Sequence, residues 1–385
     1  MEKKRLLSLD ILRGLTVAGM LLVNNPGSWS HIYAPLEHAQ WNGFTPTDLV
    51  FPFFMFIMGI STFLSLRKYD FRLGSQSLRK VIVRAVVIYL IGAFVGWFSR
   101  FTYYWTHPSP EMSFWENLWE SVCVFGSMRI LGVLARLAIC YFFASLIALT
   151  VRHRHIPWII AGLLVGYWVL LALGNGFEYG EGNVLAKVDQ AVLGLNHIYN
   201  DNGLDPEGVL STIPAVAHVL LGFCVGRVMC WGSLSEEGSP SLNDKIISLS
   251  VIGISLTFAG LLLSYGCPIN KKVWSPAFVL TTCGLASLSL ALLIWIIDVK
   301  GHSKWCRFFE TYGVNALFMY TVGSIVAVLF SRIHFGGKNI VGLLYGLFEP
   351  VFGAKGGSLV YALLFVGLIW LLGYPLYKRK IYIKI

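Results

Sequence analysis

Residues 38–59, HAQWNGFTPTDLVFPFFMFIMG, place polar side chains directly before one of the most apolar stretches of the chain. Histidine is the side chain that ordinarily titrates near neutral pH, so His38 could accept a proton from a reacting group or carry an acyl group transiently. A carboxylate such as Asp48 could orient the imidazole. If Leu49–Leu66 crosses a bilayer, these groups gather at one membrane face, where ionisable residues are often functional. The other polar residues of this group are Trp41, Asn42 and Thr45.

The same stretch also has a structural interpretation. Thr45-Pro46-Thr47-Asp48 is typical of a helix start, with Thr45 as the cap, Pro46 at the first helical position and Asp48 reaching back. Trp41 suits an aromatic belt at a membrane interface. The pattern alone therefore leaves a catalytic and a structural role open.

Composition predicts an all-α, polytopic membrane protein, because 56% of the 385 residues are hydrophobic and only 13% are charged. The net charge of +10 comes from basic residues in short clusters between apolar runs, where they set topology rather than bind nucleic acid. The seven cysteines show no CxxC spacing, so neither a disulfide framework nor a metal site is implied.

The elements that must position His38 are about ten transmembrane helices in a single domain covering residues 1–385. We expect the first within 6–25 and the others near 48–66, 80–98, 128–150, 156–174, 212–231, 245–265, 275–297, 309–331 and 357–377. The distribution of Lys and Arg predicts that both termini are cytoplasmic and that His38 is external. Residues 340–352 are interpreted as re-entrant or interfacial, and Trp115–Phe125 either lies in the interface or extends the following helix.

Two polar positions on the first helix have alternative roles. Asp10 and Arg13 are three residues apart on one helical face, so they could form a local ion pair. Alternatively, Arg13 could meet the phosphates of a cytoplasmic cofactor. Asn24 and Asn25 precede a Pro-Gly turn at the His38 side, where they could cap helix carbonyls or supply a catalytic amide.

Arg129 and Arg136 are seven residues apart, which predicts that they share one face of a transmembrane helix. A bare guanidinium in hydrocarbon costs about 3 kcal/mol or more, so an anion should face them. That anion is either a protein carboxylate or part of a bound cofactor. Asn315 and His218 are weaker candidates, which either pack in the bundle through hydrogen bonds or line a central pore.

The external loop from 175 to 211 is acidic, with Lys187 as its one lysine or arginine. An acidic vestibule would attract an amine, but Asp205-Pro206-Glu207-Gly208 could also simply turn into the next helix. Lys271 and Lys272 lie in another external loop and could meet an acidic sugar polymer or lipid headgroups. The loop's acidic residues are Glu178, Glu181, Asp189, Asp201, Asp205 and Glu207.

Several blocks resemble the catalytic region of heparan-α-glucosaminide N-acetyltransferase and its bacterial homologues. They are RLLSLDILRGLTVAGMLLVNNPG, HAQWNGFTPTDLVFPFFMFIMG, DPEGVLSTIPAVAHVLLGFCVG, PINKKVWSPAFVLTTCGLA and YGVNALFMY, in the family's order and over nearly the whole chain. The segment RILGVLARLA departs from the family block, which has Pro where Leu131 stands and Gln where Ala135 stands.

The resemblance implies a transmembrane enzyme of the bacterial inner membrane that moves an acetyl group from cytoplasmic acetyl-CoA to the amine of a glucosamine-type sugar outside. It also suggests a homodimer. We expect His38 to act as general base or acetyl carrier, Asn24 to stabilise the oxyanion and Asp48 to orient the imidazole. The expected cofactor-binding residues are Arg13, Arg129, Arg136 and Asn315, and the expected acceptor-binding residues are Trp41, Asn42, Asp205, Glu207 and Lys271.

A transporter for sugars or lipid-linked intermediates is the alternative. Transporters commonly show two halves with corresponding broken helices near mid-membrane. Here the polar residues gather at one external junction and on one arginine-bearing helix, and this asymmetry favours an enzyme.

Overall fold

The structure is a computed structural model that describes residues 6–109, 111–230 and 241–383. In these residues the chain forms thirteen α-helices and one short hairpin of β1 (His334–Phe335) and β2 (Lys338–Asn339), paired antiparallel. The predicted positions of both termini fall on residues 1–5 and 384–385, which lie outside the described residues. The helices are α1 (Leu7–Asn24), α2 (Val50–Leu66), α3 (Ser75–Thr106), α4 (Phe114–Val122), α5 (Val133–Thr150), α6 (Ile156–Leu173), α7 (Val184–Leu193), α8 (Thr212–Met229), α9 (Leu242–Leu263), α10 (Pro276–Leu293), α11 (Cys306–Val314), α12 (Ala316–Arg332) and α13 (Ile340–Lys378).

Nine helical segments of the described chain are long and apolar enough to span a membrane, and a tenth span arises if α11 and α12 are counted together. The prediction of an all-α polytopic bundle is therefore confirmed. The most buried spans are α1, α2, α5, α8 and α10, whereas α3, α6 and α9 expose most of their surface. The first group forms the core of the bundle, and the second group presents apolar side chains to lipid.

The two ends of the bundle are defined by the connections that meet there. At the His38 end, Gly43 N–H donates to the carbonyl of Ile269 (2.7 Å), and the Trp41 indole N–H donates to the carbonyl of Phe177 (2.8 Å). At the opposite end, called the Arg13 end, the rings of Phe71 and His153 lie edge to face with centroids 4.5 Å apart. Polar loops that are distant in sequence thus come together at each end.

The span predicted near 309–331 is bent by 89° between α11 and α12, at Asn315. α11 packs closely on α1, because a Cβ at Gly14 would lie 1.8 Å from the carbonyl oxygen of Phe309, and one at Gly313 would lie 2.0 Å from that of Asp10. Only glycine permits this approach. The bend holds the start of α12 beside Arg13.

α13 is interrupted at Gly353, where φ is 71° and the backbone is not helical. A Cβ at Gly357 would lie 2.8 Å from the backbone nitrogen of Glu349, so the two arms of α13 fold against each other. Residues 340–352 would extend only about 20 Å as a helix, less than the hydrocarbon thickness of about 30 Å. This geometry favours the re-entrant or interfacial interpretation.

Two local predictions around α5 are resolved by the structure. α5 begins at Val133, so Arg129 lies before the helix, and the prediction that it shares a helical face with Arg136 is wrong. The physical reason is long-range, since the Ile130 N–H donates to the carbonyl of His197 (3.0 Å) and holds this segment extended. The aromatic stretch Trp115–Phe125 does not extend α5 but contributes most of the separate short helix α4.

Candidate active site at the His38 end

The imidazole of His38 is paired with the carboxylate of Asp48, with Nδ1 and Oδ1 2.6 Å apart. The Asp48 side chain is 1% exposed, whereas that of His38 is 48% exposed. Because an ionised carboxylate only accepts hydrogen bonds, Nδ1 carries the proton and the lone pair lies on Nε2. The buried carboxylate thus orients the ring, and the ring is half exposed. This is the arrangement of a side chain that acts as a general base.

The structural interpretation of Thr45–Asp48 also holds, because each carboxylate oxygen of Asp48 has a separate task. Oδ2 accepts the backbone N–H groups of Thr45 and Ala39, both at 3.0 Å, and closes a capping box at the start of the segment leading into α2. Oδ1 is left for His38. The helix start therefore fixes the carboxylate that orients the imidazole, so the two interpretations are compatible.

Lys271 completes a charged triangle with this pair. Its Nζ lies 3.2 Å from Asp48 Oδ1 and 3.1 Å from His38 Nδ1. The side chain is 18% exposed. Burial lowers the pKa of Lys271, although the negative charges of Asp48 and Glu207 oppose that shift. Since Nδ1–H and the ammonium are both donors, they share the same carboxylate oxygen, and Lys271 acts on the dyad rather than standing free in a loop.

A second group of side chains forms an aromatic platform beside the dyad, made of Trp41 and Tyr179. Their ring centroids are 4.8 Å apart. The Tyr179 hydroxyl donates to Asp201 (2.6 Å), and Lys272 pairs with the same carboxylate at 2.7 Å. Asn42, another predicted acceptor-binding residue, is exposed and accepts a 3.3 Å hydrogen bond from the Asn270 amide.

Arg129 is held by two carboxylates, Asp205 and Glu207, and its Nε donates to Asp205 at 3.1 Å. These anions raise the pKa of Arg129 against the opposing effect of burial. Burial alone would raise the pKa of Glu207, but the charge of Arg129, followed by those of Arg136 and Lys271, lowers it. Asp205 is fully buried. The geometry thus favours a structural ion pair for Arg129 and Asp205 over the predicted cofactor and acceptor roles.

The acidic loop is correspondingly less open than its composition suggests. Asp201, Asp205 and Glu207 have basic partners, and Asp189 is fully buried, with one oxygen accepting the Val209 N–H at 2.8 Å. Burial raises the pKa of Asp189 to about 6. Glu178 and Glu181 remain exposed. Most of the acidic residues therefore stabilise the loop rather than form a vestibule for an amine.

Arg136 is fully buried in α5 and donates to the Ser211 hydroxyl and to the carbonyl of Gly208 (3.3 Å). Its guanidinium lies 5.2 Å from the Trp274 ring centre. Its Nε and Nη1 have no hydrogen-bond partner among the described residues. His218, also fully buried, lies near the same aromatic side chain, with its ring centroid 5.8 Å from that of Trp274. Arg136 thus joins α5 to the loop before α8.

Of the two asparagines that end α1, only Asn25 acts as a cap, with its amide donating to the carbonyl of Leu21 at 2.7 Å. The exposed Asn24 side chain makes no hydrogen bond within the described residues. It lines a cavity of about 520 Å³ between α1, α12 and the start of α13. No contact joins Asn24 to His38 or Asp48 in the described chain, so the structure does not bring these three predicted catalytic residues into one contact group.

A second polar cavity, of about 260 Å³, lies toward the Arg13 end of the bundle. Arg13 lines it and donates to Asp10 (2.9 Å), Ser61 (2.9 Å) and the carbonyl of Gly313 (3.2 Å), so the predicted Asp10 pair is present. Arg84 lines the same cavity. The sequence interpretation missed Arg84, although it lies within the predicted 80–98 span, where an arginine is unusual.

Asn315, predicted to bind cofactor, instead holds the C-terminal segment. Its amide donates to the carbonyl of Ile381 (3.0 Å) and its oxygen accepts the N–H of Ile383 (2.9 Å). Ile383 in turn lines the cavity of Arg13 and Arg84. Asn315 therefore contributes to this cavity through the segment that it anchors.

A small apolar cavity adjoins the Arg13 cavity on the inner side of the bundle. The two share Phe54, Leu137 and Leu317 as lining residues, and the apolar one extends to Met20 and Tyr320. Met20 lies one turn before Asn24 on α1. The two cavities therefore follow one line through the bundle, from the Arg13 end toward the end that carries Asn24 and His38.

Comparison with known proteins supports the family resemblance of the quoted blocks. The chain is 26% identical to heparan-α-glucosaminide N-acetyltransferase of Mus musculus over a 435-residue alignment that covers 99% of this chain. It is 27% identical to the protein of that name from Homo sapiens over 370 residues, covering 82% of this chain. The chain spans 60% and 52% of the lengths of these relatives. No family model matches the chain.

Proposed function

We propose that this chain is a transmembrane N-acetyltransferase that moves an acetyl group from cytoplasmic acetyl-CoA to the amine of a glucosamine-type sugar at the His38 end. The single observation that carries the proposal is the His38–Asp48 pair. It supplies an oriented base at a membrane face, in a chain similar along its length to proteins named as N-acetyltransferases of this kind.

The chemistry requires a neutral amine, a thioester carbonyl and stabilisation of the oxyanion formed between them. In the direct route, the amine nitrogen attacks the acetyl carbon, His38 Nε2 takes the amine proton, and the C–S bond breaks. The protonated imidazole then gives its proton to the departing CoA thiolate. Asp48 stabilises the transient imidazolium through Nδ1–H.

In the covalent route, His38 Nε2 itself attacks the thioester carbon and the CoA thiolate leaves. The sugar amine then attacks the acetyl-imidazole, the bond between the acetyl carbon and Nε2 breaks, and the amine proton is released. The half-exposed ring and the Nδ1 hydrogen bond suit either route. We propose Asn24 as the oxyanion donor, because its amide has no hydrogen bond among the described residues, although binding of both substrates must bring it to the reacting carbon.

The two adjoining cavities support entry of the donor from the Arg13 end, which is the predicted cytoplasmic side. Acetyl-CoA is made in the cytoplasm, so its polar part would remain near Arg13 while the thioester passes the apolar cavity lined by Met20 and Tyr320. At the other end, Trp41 and Asn42 are the proposed acceptor contacts. The amino-sugar acceptor, the bilayer and a second copy of the chain are the proposed partners, and no resident metal is proposed.

A transporter is the second candidate, favoured by the two interrupted helical segments at Asn315 and Gly353. Both interruptions lie in the last quarter of the chain, without matching breaks in the other described spans. Transport also does not explain a buried carboxylate aligned with a half-exposed imidazole.

Purified protein incubated with acetyl-CoA and a panel of amino sugars tests the proposal, with CoA thiol release and acetylated sugar both measured. We expect thiol release that depends on the amino sugar and matches the sugar acetylated. If proteoliposomes instead accumulate unmodified sugar, and CoA thiol is released neither there nor in the assay with purified protein, the chain is a transporter.

A further inference from the structure

Arg84 is a charged residue inside a membrane-spanning helix, and it has no counterion among the residues that the structure describes. It lies nine residues after the start of α3, about 14 Å along the helix axis. Its guanidinium lies 4.7 Å from the ring centre of Tyr141, and its buried Nε has no hydrogen-bond partner among the described residues. Within the described chain, no ion pair includes it. Charged groups at such depth ordinarily face a partner or a water-filled cavity.

The cavity that Arg84 lines has both polar and apolar lining residues. Arg13 and Ser61 are polar like Arg84, and Ile57, Ile88 and Leu137 are among the apolar residues. Asp10 pairs with Arg13, and no described residue that lines this cavity carries a carboxylate. Among the described residues the site therefore has an excess of positive charge and guanidinium donors suited to an oxyanion.

We propose that Arg84, which lines this cavity together with Arg13, binds a phosphate group of the acyl donor. The inference rests on the proposed function, because it takes the donor to be a CoA thioester, and it assigns the phosphate contact to α3 instead of to Arg129. Phosphate esters match guanidinium groups in charge and in hydrogen-bond geometry. Arg129 is already held by Asp205 and Glu207 at the His38 end, whereas the side-chain contact that the structure describes for Arg84 is with the aromatic ring of Tyr141.

The location favours the donor over a lipid headgroup, which also carries a phosphate ester. The cavity is lined by α1, α2, α3, α5 and the α11–α12 bend, so it lies between helices rather than on the lipid-facing surface. It also adjoins the apolar cavity through Phe54, Leu137 and Leu317. A ligand with a charged end and a long, less polar arm fits this sequence of environments.

The experiment compares the affinity of the detergent-purified full chain for CoA and for pantetheine, which lacks the phosphates and the nucleotide. We expect Arg84→Gln to weaken CoA binding at least tenfold, the usual scale for a charge-assisted hydrogen bond, and to leave pantetheine binding unchanged. Arg79→Gln is the matched control. It removes the same charge from an exposed position of the same helix, so it should bind both ligands like the wild type.

Arg84→Lys keeps the positive charge and should retain part of the CoA affinity, which keeps the proposal testable if Arg84→Gln does not fold. Equal CoA affinity in folded Arg84→Gln and wild type would overturn this inference and leave the proposed function standing. Equal losses of affinity for CoA and for pantetheine in Arg84→Gln would also overturn this inference and leave the proposed function standing. Failure of the wild type to bind CoA at all would overturn both.

A lipid headgroup at Arg84 would give a different result. Phosphatidylglycerol added to the detergent solution would then raise the melting temperature of the wild type but not of Arg84→Gln, while CoA affinity stayed equal in the two proteins. That combination would also overturn the proposed contact with the donor.

Discussion

Two clusters at the same end of the bundle are built from the same kinds of groups but differ in what they can do. Asp48 pairs with His38 and Lys271, and one of these partners is an imidazole, a group that can accept or donate a proton, on a ring that is half exposed. Asp205 and Glu207 pair with Arg129, a permanently charged group. The first cluster can exchange protons with a substrate, whereas the second can only hold its loop in place.

An ion pair therefore indicates chemistry when one partner can exchange a proton and is accessible, and a structural role when all partners keep their charge and are enclosed. Burial of a carboxylate does not distinguish the two, since Asp48 and Asp205 are both buried. We therefore expect changes in the first cluster to alter turnover and changes in the second to alter stability.

The largest expected effect is on turnover, from His38→Gln. Glutamine keeps hydrogen bonding but cannot titrate or carry the acetyl group, so turnover should fall at least about 100-fold. CoA binding should persist, because the polar cavity lies toward the Arg13 end. His31→Gln is the control, since this neighbouring histidine of the same connection is exposed and its hydrogen-bond partners among the described residues are Ser28 and Tyr345.

Near-normal turnover of His38→Gln with a glucosamine acceptor at neutral pH would show that the imidazole is structural. If turnover falls as expected, a brief exposure to radiolabelled acetyl-CoA without acceptor separates the two routes. Only the covalent route leaves label on wild-type protein that the variant lacks.

Arg129→Gln should act on stability instead. It leaves Asp205 buried without its cation, and removal of one partner of a buried ion pair commonly costs about 3–5 kcal/mol. Lys272→Gln is the comparison, because its partly exposed pair with Asp201 should contribute no more than about 1 kcal/mol. The melting temperatures of the detergent-purified variants measure both. A normally stable Arg129→Gln with reduced CoA affinity would restore the cofactor role to Arg129.

The sequence was sufficient for features that depend on local pattern. Hydropathy predicts the spans, and the capping pattern at Thr45–Asp48 predicts the helix start that the structure contains. The His38–Asp48 contact is also short-range, since only ten residues separate the partners. These features follow from local chemistry and need no knowledge of the packing.

The sequence was insufficient where distant segments decide the structure. Lys271 reaches Asp48 across more than two hundred residues, and the carbonyl of His197 holds the segment of Arg129 out of α5. Asn315 looks like a polar residue in a span, but its partners lie in the C-terminal segment. Arg84, at the start of the predicted 80–98 span, resembles one more member of the basic cluster there. That it has no counterion among the described residues is visible only after the helices are packed.

Asp189, next to the structural cluster, should make stability depend on pH. Burial raises its pKa to about 6, above the ordinary value near 4, so the folded state binds a proton that the unfolded state has lost in this window. The stabilisation is present below about pH 4 and is lost as the pH rises through about 6. Asp189→Asn should remove this loss. The free energy of unfolding of the variant minus that of wild type should therefore be about 1–2 kcal/mol larger at pH 7.5 than at pH 4.5.

Thermal unfolding at the two pH values measures this effect. Asparagine keeps the oxygen that accepts the Val209 N–H, so the loop contact survives the substitution. Glu181→Gln is the control, because that side chain is exposed and should leave the pH dependence unchanged. A parallel pH dependence of wild type and Asp189→Asn would contradict the prediction.

Lys271→Met should give the smallest effect, on the pH dependence of turnover. The ammonium shares Oδ1 of Asp48 with the imidazole, and its charge opposes formation of the imidazolium. Without it, the acid limb of the profile should move to higher pH. Lys272→Met is the matched control, because the adjacent lysine pairs with Asp201 and should leave the limb in place. If Lys271→Met instead raises KM for the amino sugar and leaves the acid limb unmoved, Lys271 contacts the acceptor and does not tune the base.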